Sequence, residues 1–259
     1  MKAVLFTAVF FIALIFVSAT SAQTKPDAQA IVAKAVQIMG GDRYLQITTQ
    51  VGRGRFSVIR ENMVASSQSF VDIIVFPDKE RTEFKTGPSK TIQTNNGKTG
   101  WIFDSDAESL RDQNAGQIEN FQRGIRVSLD NLLRGYWKGE AELSYVGRRQ
   151  AGLGRRNDVI KLHYKDGFAI EFEFADDGTP AKALYKRRAV DDSEVTEEDR
   201  YAQFIDVGGI KTPFIIDRYT NGAQNSRINY ESVDFNKPIP ESVFSKPSDI
   251  KSLKKDLKI

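Results

Sequence analysis

The sequence predicts a mainly β protein of the α+β class: a large unclosed antiparallel β-barrel, or strongly curved sheet, with an N-terminal helix and a mid-chain lid helix. Three observations carry this. Runs with period-two alternation recur through most of the 259 residues, divided by turn pairs such as Asn96-Gly97, Asp166-Gly167 and Asn221-Gly222. In the chain beyond its N-terminal apolar run, only residues 28–39 and 116–139 repeat apolar side chains at three- and four-residue steps. The chain also lacks cysteine, so neither disulfides nor thiolate metal sites hold it, and stability must come from a packed core.

At the start, Lys2 precedes an apolar run over residues 3–17, broken only by Thr7, and the small residues Thr20-Ser21-Ala22 follow. This reads as a secretory signal peptide over residues 1–22, because the run falls short of the roughly 20 residues a spanning helix needs. The expectation is an exported, periplasmic protein that starts near Gln23 and, without a cysteine, carries no lipid anchor. The net charge is +3, and removing Lys2, the only charge in that segment, leaves +2. So even a balance excludes the basic stripe of a nucleic-acid-binding protein.

Asp27 is placed to cap a helix over 28–39, which Gly40-Gly41 ends. Strands follow, with Phe56 and Val58 in one, residues 70–76 apolar on both parities, then 81–84 and 91–94, and a tight turn at Asn95-Asn96-Gly97-Lys98. Ile118, Phe121, Ile125, Leu129, Leu132, Leu133 and Tyr136 mark a single amphipathic helix suited to cover the mouth of a curved sheet. Gly147 to Arg156, with four arginines around Gly152 and Gly154, reads as a flexible loop. Further strands fall at 159–165, 168–174, 183–190, 200–207, 212–219 and 227–235, for ten or eleven in all. In the second of these, Phe168, Ile170, Phe172 and Phe174 share one face while Ala169, Glu171 and Glu173 face water. Domain organisation reads as one half-barrel over 23–247 and a polar, basic, mobile tail over 248–259.

Catalytic signatures fail on spacing. His163 is the only histidine, which excludes a His-x-x-x-His zinc site, and it shares a strand face with Lys161 and Lys165. Gly97-Lys98-Thr99 imitates a phosphate loop, but Ile92 stands where its first glycine belongs. Ser248-x-x-Lys251 and two Lys-Thr-Gly triplets occur in the wrong order for penicillin-binding enzymes, without a Ser-Asp-Asn element. Glu171 and Glu173 could serve glycoside chemistry, yet paired carboxylates on an outer strand are ordinary solvated residues. Acids between Asp191 and Asp199 lack the spacing of a calcium loop. The expectation is a protein that is not an enzyme and needs no metal or cofactor.

One stretch goes further: Pro77-Asp78-Lys79-Glu80-Arg81-Thr82-Glu83-Phe84, then Asn96-Gly97-Lys98-Thr99-Gly100-Trp101-Ile102-Phe103-Asp104-Ser105-Asp106. It resembles a hairpin of the outer-membrane lipoprotein-sorting carriers, the LolA/LolB-like superfamily that includes RseB-type periplasmic sensors. A late echo runs through Asn236, Ile239, Phe244 and Pro247. The close match covers about a quarter of the mature chain. Thr82 departs from the aromatic residue often found after the arginine, which separates this chain from a minimal lipoprotein carrier. The resemblance implies an unclosed barrel whose concave face shields acyl chains of a lipoprotein or lipid. It further implies exchange with an envelope donor or acceptor protein, transient membrane contact and no catalysis. The ligand-binding candidates are then Phe56, Val58, Ile73, Val75, Phe84, Trp101, Phe103, Phe172 and Phe174, with Arg81, Phe121, Ile125 and Leu129 at the lid. The alternative is an envelope sensor or interaction module that binds protein partners on the same sheet.

Overall fold

The computed structural model describes residues 27–189 and 191–255, so the signal-peptide expectation lies outside the described residues. Helix α1 (Ala28–Met39) is capped by Asp27, whose side chain accepts from the Gln29 amide, and the short α2 (Asp42–Leu45) follows. Six strands come next: β1 (Thr49–Arg60), β2 (Met63–Val75), β3 (Lys79–Thr86), β4 (Ser89–Asn96), β5 (Thr99–Asp104) and β6 (Ser109–Asp112). After α3 (Ala115–Val127) and α4 (Leu129–Arg134) come β7 (Ala141–Gly152), β8 (Arg155–Tyr164), β9 (Ala169–Phe174), β10 (Pro180–Arg188), β11 (Glu194–Asp206), β12 (Lys211–Thr220) and β13 (Ala223–Phe235).

All thirteen strands form one antiparallel sheet in the order β6-β5-β4-β3-β2-β1-β13-β12-β11-β10-β9-β8-β7, which does not close. Adjacent strands are consecutive in sequence, except at the centre, where β1 pairs with β13 and Gln50 lies opposite Phe235, and the consecutive β6 and β7 form the two edges. The expected sheet is therefore present, with more strands than the alternation revealed. The short β6 and the polar β7 are the additions, and both lie at edges, where alternation is weakest.

Three other expectations change. Residues 147–156 are not a loop: β7 runs to Gly152 and β8 starts at Arg155, with Arg148 and Arg149 opposite Asp158 and Asn157. The mid-chain helix is two helices, because Ser128 takes an extended conformation (ψ 149°) and its hydroxyl caps α4 through the Asn131 amide. Within the expected tail, residues 250–254 form a 3₁₀ turn whose Leu253 is buried against Ile92, Trp101 and Phe103, so this part of it is packed on the sheet.

Both faces of the sheet are covered, by different parts of the chain. On one face α1, α2 and α4 pack on β7–β10, burying Val32, Met39, Tyr44, Leu132 and Leu133 against Ile160, Leu162, Ile170, Phe172 and Phe174. On the other, Val51 and Ile73 bury Val243 and Phe244, so that the strand apolar on both parities, β2, is indeed covered twice.

The helix-bearing face is the concave one. Phe56 of β1 and Phe84 of β3 meet edge to face at 5.8 Å although β2 runs between them. Phe70 of β2 and Tyr230 of β13 meet at 5.4 Å across β1. The second meeting needs glycine in β1, because a Cβ on Gly52 would come within 2.4 Å of the Tyr230 ring edge. Gly52→Ala is expected to lower stability by about 1–3 kcal/mol by overpacking, read as a fall in the urea midpoint at unchanged slope.

Candidate functional site

Strand registers divide the sequence-derived candidates between the two faces. Phe56, Val58 and Phe84 lie on the concave face, as do Phe172 and Phe174. Ile73, Val75, Arg81, Trp101 and Phe103 lie on the opposite face. One cavity cannot be lined by both sets, because successive side chains leave a sheet on opposite sides.

The hairpin that carries the family-like motif anchors the C-terminal segment. Arg81 Nη1 donates to the Val243 carbonyl at 2.9 Å, and Trp101 Nε1 donates to the Phe244 carbonyl at 3.0 Å. The Arg81 guanidinium also lies over the Trp101 ring, 5.4 Å from its centroid. Glu83, buried beside Arg81, accepts from Arg81 Nε at 3.0 Å and pairs with Lys90 at 2.7 Å, while Lys90 Nζ donates to the Lys255 carbonyl at 2.8 Å. Arg81 thus serves the C-terminal strap and does not reach the helices. A groove of about 330 Å³ lies beside this network, bordered by the polar Arg53, Ser69, Glu83, Lys85 and Glu231 and by the apolar Phe70 and Val71.

Phe172 and Phe174 are on the concave side but wholly buried beneath α1 and α4, and Leu129 is the first residue of α4 and is buried in the same core. Glu173, expected to face water, is also fully buried, held by Arg149 Nη1 at 2.8 Å and Asn157 Nδ2 at 3.1 Å. With Lys182 also near, the Glu171–Glu173 pair is part of a charge network braced across β7–β10.

Beyond the helix-covered core of the concave face, a half-buried row crosses four adjacent strands, its Tyr201 end, with Tyr185 beyond it, packed against that core. Phe56 lies opposite Ile228, Ile228 opposite Ile216, and Ile216 opposite Tyr201. All four are only half-buried, as are Val58 and Phe84 at the β1–β3 end and Tyr185 beyond β11. Phe121 and Ile125 of α3 are likewise half-buried, and neither joins a packed core cluster among the described residues. Helix α3 is fixed at its C-terminal end, where Arg126 stacks over Tyr164 at 4.2 Å and pairs with Asp166 at 2.6 Å. Helix α4 is fixed more firmly: Arg134 lies between the rings of Tyr44 (4.5 Å) and Phe76 (4.3 Å), pairs with Asp130 and donates to the Ile47 carbonyl.

A polar patch interrupts the apolar row. Arg218 pairs with Asp199 at 3.6 Å, and Asp72, Glu80 and Thr82 cluster beside Tyr230. Burial raises the pKa of Asp199, against the opposing pull of Arg218, and burial also pushes the Tyr230 hydroxyl well above its ordinary value. None of Tyr185, Tyr201, Ile216, Ile228 or Tyr230 was singled out by sequence reasoning. The available signal was alternation in β11–β13, where these side chains share parity with one another and, by register, with Phe56.

An open antiparallel half-barrel with helices over part of its concave face defines the class of protein, and solved structures share it. A DUF1329 family protein from Desulfovibrio piger aligns with a TM-score of 0.59 at 14% identity, over 84% of this chain and 97% of that one. A LolA superfamily protein from Nitrosomonas europaea aligns with a TM-score of 0.56 at 14% identity, over 85% of this chain and 98% of that one. The fold is that of the LolA-like proteins. No family model and no curated protein matches the sequence.

Proposed function

We propose that the protein is a non-enzymatic periplasmic carrier that shields acyl chains of a lipoprotein or lipid on its concave face. The observation that carries this reading is the half-buried row Phe56–Ile228–Ile216–Tyr201, flanked by Val58 and Phe84, within a sheet whose other apolar side chains are largely packed away. Monomeric proteins seldom leave a contiguous apolar strip within a concavity unless something covers it. Phe121 and Ile125 of α3 supply a second apolar surface. Burial of each acyl methylene contributes about 0.8 kcal/mol, so a chain of ordinary length held over part of this row binds usefully without any charged contact.

Native mass spectrometry of residues 23–259, purified from a bacterial periplasm, is expected to show a co-purifying acyl lipid. The double variant Phe56→Ser with Ile216→Ser is expected to bind a fluorescent acyl probe about tenfold or more weakly, a loss of about 1.4 kcal/mol, while keeping its fold by circular dichroism. A folded double variant with unchanged affinity, or a wild-type chain that takes up no probe, overturns the reading.

A further inference from the structure

The patch at the centre of the concave face has more acceptors than protons. Thr82 Oγ1 lies 2.7 Å from Asp72 Oδ1 and 3.2 Å from Glu80 Oε1. A hydroxyl has one proton and can donate to only one of them. With both carboxyls ionised, the second carboxylate oxygen would face the threonine oxygen with no hydrogen between them. A proton on either carboxyl removes that conflict and lets all three groups bond in a chain. The cation that acts on both carboxyls is Arg218, which lowers the pKa of Asp72 and of Glu80 against the larger effect of their burial.

The surroundings favour keeping that proton. Asp72 lies opposite Gly52 on β1, which has no side chain to offer, and opposite Thr82 on β3. Gln93 and Asn95 of β4, opposite Thr82 and Glu80, are neutral. From β13 comes the neutral Tyr230 hydroxyl, and from β12 Arg218, which pairs with Asp199 of β11 and also acts on both carboxyls of the patch. From α4, Asp130 acts on Tyr230 but is neutralised by Arg134. Burial raises the pKa of Asp72 well above the ordinary carboxylate range, and the neighbouring Glu80 raises it further; burial raises Glu80 as well. Two carboxyls so placed titrate as a pair in two separated steps.

We propose that Asp72, Glu80 and Thr82 form a one-proton switch in the concave face: with the proton bound the patch is neutral and the face accepts apolar ligand, and with it lost the patch is charged and hydrated and ligand is released. The ligand half of this rests on the acyl-carrier reading, and the proton half stands without it. By linkage, stability conferred by the shared proton is present at low pH and is lost as pH rises through the upper step, because the folded chain holds a proton that the unfolded chain has given up.

Carbon-detected NMR of the side-chain carboxyls in residues 23–259 separates the two halves. One carboxyl step is expected well above the ordinary carboxylate range, absent in both Asp72→Asn and Glu80→Gln, whose amides can donate to the remaining carboxylate. The fall in melting temperature across that step should disappear in the same variants. A nonionic monoacyl probe, which has no titration of its own, is expected to bind about tenfold more tightly below the step than above it, and to raise the step by about one pH unit in return. Ordinary titration of every carboxyl overturns the switch whatever the probe does. A raised step with pH-independent probe affinity overturns its coupling to ligand, and failure of the probe at every pH strikes the carrier reading alone.

Discussion

Glu83→Gln is expected to lower the stability of the protein by about 3–5 kcal/mol, read from urea unfolding followed by tryptophan fluorescence. Glu83 is a buried acid held between two buried cations, Arg81 and Lys90. The neutral amide leaves both positive charges away from water with no counter-charge, and that uncompensated burial is the costly outcome for an ion network. The two cations also hold the C-terminal strap, through the Val243 and Lys255 carbonyls. The strap should therefore loosen first, seen as faster amide exchange over 243–255 than over β8 and β9. A loss below about 1 kcal/mol would show that the network is solvated in practice and that the strap is held mainly by the burial of Phe244 and Leu253 and by the Trp101 hydrogen bond.

Phe172→Ala is the second large effect, an expected loss of about 3–5 kcal/mol. The ring is wholly buried between Ile160 and Ala183 on the neighbouring strands and lies beneath the helices, so truncation leaves a cavity that β-strand neighbours cannot collapse to fill. Acyl-probe affinity of the remaining folded protein should stay within about twofold of the wild type, since Phe172 is core. The opposite pattern, intact stability with lost binding, would place the ligand beneath α4 instead of along the open row.

Much of this fold is legible in the sequence because its devices are local. Asp27 capping α1, the Asn96-Gly97 turn and the four-step alternation Phe168–Ile170–Phe172–Phe174 each depend on residues only a few positions apart. Alternation also assigns Phe56 and Val58 to one face. What it cannot assign is which face is concave and what covers the other. Trp101, Phe103 and Ile73 alternate as cavity residues would, but their partners are Phe244 and Leu253, more than a hundred residues later in a stretch with no periodicity of its own. The polar strand β7 was hidden for a related reason. Arg148 and Arg149 look like loop residues until Asp158, Asp176, Glu171 and Glu173, from other turns and strands, are brought beside them. The carboxyl pair Asp72–Glu80 was overlooked because, in sequence, each is one charge in an ordinary β-hairpin.

The pairing of Gln50 with Phe235 bears on the order of events as the chain is made. The six N-terminal strands can zip as hairpins as they emerge, but β1 keeps a bare edge until the last strand arrives, and the apolar side chains of β1 to β5 stay uncovered until the final residues follow. Contacts this distant are slow to find and leave strand edges available to other chains meanwhile. Such a protein passes through a vulnerable interval that ends only once residues 243–253 are in place, so deletion of that stretch should yield aggregates in place of a shorter half-barrel.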